Sequence, residues 1–255
     1  RVVAFTGAGI SAESGVPTYR DQGGLWTTYD MQKVSHIRNF LEDPVSCWRF
    51  ELELFRLLRS AIPNAAHGAL AELEACGILT GVVTQNVDGL HSTAGSRNVV
   101  ELHGNENRAR CMSCGSTCPC TAAFQSVGWV DEDGAICESC LPDITHLLRA
   151  SSSVPHHRSR NTSSCYPPKW AWPLLSVLIR RKPVCPEGAP RCKCGGLLKP
   201  DATYFGEWLD RSTMKQAVSW FRSCDVALII GSSCSVTPAS ELPKLLKARG
   251  GTIIE

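Results

Sequence analysis

The sequence predicts an α/β fold in which a parallel sheet carries helices on both faces. Three observations predict it. Four apolar runs of strand length occur at Val2–Phe5, Ile78–Thr84, Val226–Ile230 and Thr252–Ile254, and near-continuous apolar runs are what a sheet buried on both faces requires. Helical patterns separate the runs. Segments rich in small and polar residues follow them directly, and ligands gather beyond the carboxyl ends of strands in open α/β sheets.

The helices carry their own punctuation. Asp43-Pro44 caps and starts one with Trp48, Leu52 and Phe55 on one side. A second begins near Asn64, turns Leu70 and Leu73 inward and stops at Gly77. Ser212 is expected to cap a third, with Met214, Val218 and Phe221 facing the core.

After the first run comes Thr-Gly-Ala-Gly-Ile-Ser at 6–11, so that Gly7-x-Gly9-x-x-Ala12 fits the fingerprint of a dinucleotide pyrophosphate site. A hydride-transfer enzyme would continue with a helix, a strand and an acid about 20 residues on. Here the pattern breaks into Gly15-Val16-Pro17 and an arginine-containing loop. After the second run, Thr-Gln-Asn-Val-Asp-Gly-Leu-His at 84–91 places Gln85, Asn86 and Asp88 at a strand end. They suit ribose hydroxyls or a carboxamide, and equally an Asx-capped turn relieved by Gly89. After the third, residues 231–240 form a small-residue loop expected to open a helix near Pro238 and to supply a second wall for the same ligand. His103, after Val-Val-Glu-Leu and before Gly104, reaches a sheet edge; an ordinary histidine pKa suits a general base at neutral pH.

Residues 108–199 interrupt the α/β rhythm. The chain has 14 cysteines, and those between 111 and 194 cluster as Cys-x-x-Cys and Cys-x-Cys pairs, a metal-binding pattern of reducing compartments rather than a disulfide framework. Cys111 and Cys114 with Cys192 and Cys194 offer four thiolates for a structural zinc with no open coordination position. Cys137 and Cys140 are a rival second pair. The middle of this stretch, about 141–190, has no clear period and reads as an irregular insertion or a retained intron.

Composition narrows the class further. A hydrophobic share of 43% with 20% charge is that of a soluble globular protein, and no apolar run approaches the roughly 20 residues that span a bilayer. Residues 144–186 hold seven Lys or Arg and no acid. Against a chain total of +2 the remainder is net acidic, without the basic stripe that nucleic acid requires. The chain starts inside an apparent strand, lacks an initiator Met and ends in another strand, and is expected to be a fragment.

Taken in order, Gly-Ala-Gly-Ile-Ser, Ser-Gly-Val-Pro-Thr-Tyr-Arg, Thr-Gln-Asn-Val-Asp-Gly-Leu-His, Leu-His-Gly, the pair Cys111/Cys114, Cys-Gly-Gly-Leu-Leu-Lys-Pro-Asp-Ala-Thr-Tyr-Phe-Gly-Glu and Gly-Ser-Ser-Cys-Ser-Val resemble the sirtuin (Sir2) family of NAD-dependent protein-lysine deacylases. The resemblance implies a Rossmann-like parallel sheet with helices on both faces over 1–107 and 200–255. It also implies a small zinc-ribbon module over 108–199, with the cleft for NAD and acyl-lysine between the two. NAD would be a consumed co-substrate, which accounts for the broken hydride-enzyme pattern.

By the same resemblance Gly7, Ala8 and Gly9 line the diphosphate, and Tyr19 and Arg20 belong to a loop over the nicotinamide ribose. Gln85, Asn86 and Asp88 position that ribose and the nicotinamide pocket, and Gly231, Ser232, Ser233 and Val236 border the adenosine. Phe205, Gly206 and Glu207 would pair in β-fashion with the substrate peptide. His103 would act as general base on a ribose hydroxyl, and the products would be nicotinamide, free lysine and O-acyl-ADP-ribose. The partner implied is an acylated lysine in a protein or peptide, met inside the cell, with no membrane and no nucleic acid.

Two departures from the family pattern stand out, and the second bears on substrate. Thr18 and Tyr19 stand where the loop motif commonly has Asp and Phe. Glu51 and Leu54 stand where the branch removing acidic acyl groups has Tyr and Arg, so a negative Glu51 would disfavour a succinyl carboxylate and favour acetyl or apolar chains. An adenosine-contacting Asn that follows the last strand in the family falls after residue 255, from which a reduced NAD affinity is expected. Protein ADP-ribosyl transfer by the same cleft, and an inactive NAD- or zinc-binding module, are the alternatives.

Overall fold

A parallel strand buried on both faces needs apolar side chains at nearly every position, and the four predicted runs meet that need. A computed structural model describes residues 1–18, 29–137 and 188–255. Tyr19, Arg20, Cys140 and all but the last three residues of the 141–190 insertion lie outside the described residues. The strands are β1 (Val2–Thr6), β2 (Leu79–Thr84), β3 (Val99–Glu101), β4 (Gly104–Cys111), β5 (Thr117–Pro119), β6 (Leu198–Ala202), β7 (Val226–Ile230) and β8 (Thr252–Ile254).

Among the described residues, five strands form one all-parallel sheet in the order β3-β2-β1-β7-β8. The order reverses direction of travel at β1, so the crevice between β1 and β7 is the switch point where such sheets bind ligands. Register makes this concrete. Thr6 is level with Thr84 on one side and with Ile230 on the other, so the loops after β1, β2 and β7 emerge together at one edge.

Eight helices are described: α1 (Met31–Val34), α2 (Ile37–Glu42), α3 (Pro44–Arg59), α4 (Ala65–Ala75), α5 (Leu90–Thr93), α6 (Cys120–Gln125), α7 (Arg211–Ser223) and α8 (Glu241–Ala248). α4 covers one face of the sheet through Leu70 against Ala4, Leu79 and Val82. α7 and α8 cover the other through Phe221, Leu242 and Leu246 against Val3, Phe5 and Ala227; Phe5 and Phe221 meet edge to face at 5.9 Å.

The remaining strands form an antiparallel sheet, β5-β4-β6. It shares one apolar core with α2, α3 and α6, centred on Trp48, Phe124 and Leu197. The Trp48 indole N–H, fully buried, donates to the Leu198 carbonyl at 2.8 Å, which answers the need of a buried indole for an acceptor. Asp43 caps α3 by accepting from the Ser46 N–H at 3.0 Å, worth about 1 kcal/mol. Asn64 caps α4 in a reciprocal box with His67.

Several boundaries differ from the sequence expectations. Asp210, not Ser212, caps α7 by accepting from the Thr213 N–H at 2.8 Å; a carboxylate there also complements the helix dipole. α8 starts at Glu241 rather than near Pro238, because residues 237–240 form turns. Ile78 is 54% exposed and precedes β2. The short β3 pairs with Val82, Val83 and Thr84 and delivers His103 to the same edge as the other loops.

Candidate active site

The crevice between β1 and β7 closes because glycines interlock across it. The Gly7 N–H donates to the Ile230 carbonyl at 3.1 Å and the Gly9 N–H to the Gly231 carbonyl at 2.9 Å. A Cβ on Gly7 would stand 2.7 Å from the Gly231 oxygen, and one on Gly9 would stand 2.7 Å from the Gly231 Cα. No side chain fits at either position. Residues Ala8–Ser14 then form a 3-10 turn that ends at Gly15 with φ of 83°. This turn replaces the α-helix of the dinucleotide fingerprint and brings Ser11 inward.

Ser11 is fully buried and was not among the residues singled out from sequence. Its hydroxyl donates to Asp88 Oδ2 at 2.7 Å and accepts from Asn86 Nδ2 at 3.0 Å. Asp88 Oδ1 accepts from the Leu90 N–H at 2.9 Å, and Gly89 takes a φ of 75°. The Asx turn of residues 84–91 is present, and one oxygen of Asp88 holds it while the other faces Ser11.

Two buried histidines, His67 and His91, meet with tilted rings, centroids 4.8 Å apart, beneath this cluster. The Thr6 hydroxyl donates to Thr84 at 2.8 Å and lies 2.9 Å from His91 Nε2, so Nε2 carries the proton. His91 Nδ1 is buried without a hydrogen-bond partner among the described residues. Burial, reinforced by the neighbouring His67, pushes the His91 pKa down to about 4. The ring is neutral. Burial likewise lowers His67, against the pull of Asp88.

His103 leaves β3 at the same edge. Its Nδ1 lies 2.9 Å from the Gln85 carbonyl oxygen. A carbonyl only accepts, so Nδ1 is the protonated nitrogen and Nε2 keeps a basic lone pair. Burial lowers the His103 pKa, opposed by the Gln85 bond, and the ring is neutral at pH 7. The Gln85 side chain donates to Ser232 Oγ at 2.7 Å, tying the loop after β2 to the loop after β7. In that second loop Ser232 also accepts from the Cys234 N–H at 3.2 Å, Ser233 and Ser235 hydroxyls pair at 2.9 Å, and the Val236 carbonyl accepts from the Ser240 N–H at 2.9 Å.

The turn after β6 faces the same cleft. The Thr203 N–H donates to the His103 carbonyl at 2.8 Å. Phe205 bonds through its own main chain to the Ser35 carbonyl at 2.8 Å and the Ile37 N–H at 3.0 Å, and the Glu207 N–H donates to the Tyr204 carbonyl at 3.0 Å. The main chain of Phe205 thus serves segment 35–37, and Gly206, with φ of 86°, lies between the two bonded residues.

Glu51 differs from its sequence expectation. It is 4% exposed, accepts from the Tyr204 hydroxyl at 2.6 Å and shares a hydrogen bond with Glu106. Burial raises its pKa, so it presents no free carboxylate to a substrate. Leu54 instead joins an apolar cluster with Met31, Val34, Phe50 and Phe205.

The sulfurs of Cys111, Cys114, Cys192 and Cys194 all lie within 4.8 Å of one another, close to the separation of about 3.8 Å implied by tetrahedral zinc with 2.3 Å bonds. The Ser113 and Cys114 N–H groups point at Cys111 Sγ from 3.4 and 3.5 Å. A Cβ on Gly196 would strike that sulfur at 2.7 Å, so the loop is shaped to leave the thiolates room. The donor set fits zinc. Cys137 is outside the cluster; its N–H donates to the Trp129 carbonyl at 3.0 Å.

Fold and site together define a dinucleotide-binding α/β protein with a tetrathiolate ribbon and a neutral, tautomer-fixed histidine at the cleft. Comparison with known proteins is specific. The pattern of the Sir2 family matches residues 7–238. An NAD-dependent protein deacylase of Thermococcus kodakarensis is 39% identical over 253 residues, covering 99% of this chain and 78% of the relative. NAD-dependent protein deacylase 2 of Pyrobaculum aerophilum is 38% identical over 254 residues, with coverages of 99% and 78%. Among solved structures, a Sir2 homologue in complex with NAD superposes with a TM-score of 0.69 at 33% identity, covering 100% of this chain and 76% of the other. A Sir2–p53 peptide–NAD+ complex gives 0.69 at 29% identity, with coverages of 99% and 79%. The chain belongs to the Sir2 family.

Proposed function

We propose that this protein is an NAD-dependent protein-lysine deacylase that consumes NAD and acts on simple acetyl or apolar acyl chains. The observation that carries this reading is the Nδ1–H bond from His103 to the Gln85 carbonyl, which leaves Nε2 unprotonated at the meeting point of the three loops. In the deacylase reaction the acyl oxygen of the modified lysine bonds to the ribose carbon of NAD as nicotinamide leaves. His103 Nε2 accepts the proton of a ribose hydroxyl, and the Gln85 carbonyl stabilises the imidazolium that forms.

Gly7, Ala8 and Gly9 hold the diphosphate against the interlocked crevice, and Gly231, Ser232, Ser233 and Val236 border the adenosine. Asn86 and Asp88, braced by Ser11, orient the nicotinamide ribose, with Tyr19 and Arg20 over it. Gly206, flanked by Phe205 and Glu207, meets the peptide main chain, and the Leu54 cluster favours apolar over acidic acyl groups. Zinc on Cys111, Cys114, Cys192 and Cys194 is structural: four thiolates leave no open position. The NAD-binding part spans 1–107 and 200–255 around the metal module. Cysteines gathered as a metal-ligand set rather than as disulfides support a reducing, intracellular setting.

The test is His103→Ala with an acetyl-lysine peptide. Peptide-dependent nicotinamide release falls by a factor of about 10²–10⁴, the usual worth of a general base, while zinc content and melting temperature are retained. Wild-type-like turnover by the variant would refute the assignment.

A further inference from the structure

We propose that Lys199 is a positioning residue for the acyl-peptide turn: its buried ammonium holds Glu207, and through it the Tyr204–Glu207 turn, in the shape the substrate meets. The inference rests on the deacylase reading above and deepens it.

Lys199 is 7% exposed, and a buried ammonium is tolerated only when its protons are satisfied. All three are. Nζ donates to the carbonyls of Pro200 at 2.9 Å and Ala202 at 2.6 Å, and pairs with Glu207 Oε2 at 3.1 Å. Its remaining side faces the Tyr204 ring, 4.0 Å from the centroid. The three acceptors lie on one stretch, 200–207, so the ammonium staples the end of β6 to the turn that follows. With no proton uncommitted, its role is geometric.

The turn is closed reciprocally. Glu207 Oε2 accepts from the Tyr204 N–H at 2.8 Å, while the Glu207 N–H donates to the Tyr204 carbonyl at 3.0 Å. Gly206 stands between them, and a Cβ there would meet the His36 ring at 3.0 Å and Ile37 at 3.1 Å. Tyr204, 3% exposed, is fixed from α3 by the Glu51 carboxyl and from α2 by the Phe40 ring at 5.8 Å. Glu51 is in turn bonded to Glu106 on β4, the strand that begins next to His103. With the Thr203 N–H on the His103 carbonyl, these bonds set the turn in fixed register with the proposed base. Among the described residues, Glu207 is the one side chain of the turn that forms an ion pair with the ammonium, beside the contact with the Tyr204 ring. Removing either partner therefore frees Gly206 without touching Gly7–Gly9, Asn86 or Ser232.

The experiment is steady-state kinetics on the full chain for wild type, Lys199→Met, Glu207→Gln and the double variant, with NAD and an acetyl-lysine peptide varied separately. A charge-assisted bond of this kind corresponds to about tenfold or more in an equilibrium constant. The peptide KM of each single variant rises by about that factor, the KM for NAD stays within twofold, and the double variant is no worse than Lys199→Met. Equal rises in both KM values, an unchanged peptide KM in a folded variant, or additive losses in the double variant would overturn the proposal. Should Lys199→Met fail to fold, Glu207→Gln alone decides by the same KM split. A wild type that releases no nicotinamide with any acyl peptide sinks the deacylase reading and this inference with it; an active wild type with insensitive variants sinks only the inference.

Discussion

Gly9→Ala tests the interlocked crevice with a single methyl group. The added Cβ would stand 2.7 Å from the Gly231 Cα and 3.0 Å from its carbonyl oxygen. Carbon atoms rest at about 3.5–4.0 Å, so the loops after β1 and β7 must part by about 1 Å. Both obstructing groups are backbone, and no side chain can rotate away. Overpacking of this kind costs about 1–3 kcal/mol, and losing the bond from the Gly9 N–H to Gly231 adds about 1 kcal/mol. The total, about 2–4 kcal/mol, falls on the NAD crevice, so NAD affinity drops by a factor of about 30 to 1,000. Titration calorimetry with NAD reads this directly. Gly15→Ala is the control: its φ is 83° and a Cβ there meets nothing within 4 Å, so it lowers stability by about 1 kcal/mol and leaves NAD affinity alone. A Gly9→Ala protein that binds NAD within twofold of wild type would refute the reasoning.

Two further predictions concern pH and metal. An unfolded histidine titrates near 6.5, whereas burial holds His91 down to about 4 and also lowers His67 and His103. Below pH 6.5 the unfolded chain takes up protons that the folded chain refuses, so stability is full above about 6.5 and falls on acidification toward 4. The loss is on the order of 3 kcal/mol from His91 alone; denaturant titrations that give equal stability at pH 7.5 and 5 would count against it. Cys192→Ser abolishes stoichiometric zinc and lowers the melting temperature, because Cys192 packs against the core around Trp48, while Cys137→Ser keeps both. Zinc retained by Cys192→Ser, measured by elemental analysis, would exclude that ligand set.

The parallel sheet was legible in the sequence because buried strands write themselves as Val, Ile and Ala runs, and β1, β2, β7 and β8 match those runs to within a residue. β3 was not, since three residues are too few to show a period; only its level with Val82–Thr84 in the sheet makes it a strand. The glycine positions and His103 stood out because turns and sheet edges restrict residue type. Ser11 did not, because a serine after a Gly-x-Gly turn reads as an ordinary cap; its partners Asn86 and Asp88 lie 75 and 77 residues away. Glu51 was misread for the same reason. By alignment it reads as a negative charge facing the acyl group, and only the fold brings Tyr204, 153 residues on, to its carboxyl. Between Cys137/Cys140 and Cys192/Cys194 the spacing did not decide, whereas the antiparallel pairing of β4 with β6 sets Cys192 and Cys194 against Cys111 and Cys114.

The central claim is that the cleft joins NAD consumption to removal of an acyl group from lysine. The most direct measurement is the product ratio from wild-type protein, NAD and an acetyl-lysine peptide, followed by mass spectrometry. The account predicts nicotinamide, deacetylated peptide and O-acetyl-ADP-ribose in equal amounts, with none formed when the peptide is unacylated. Nicotinamide accompanied by ADP-ribose attached to protein, or no nicotinamide from a folded, zinc-loaded sample, would contradict it.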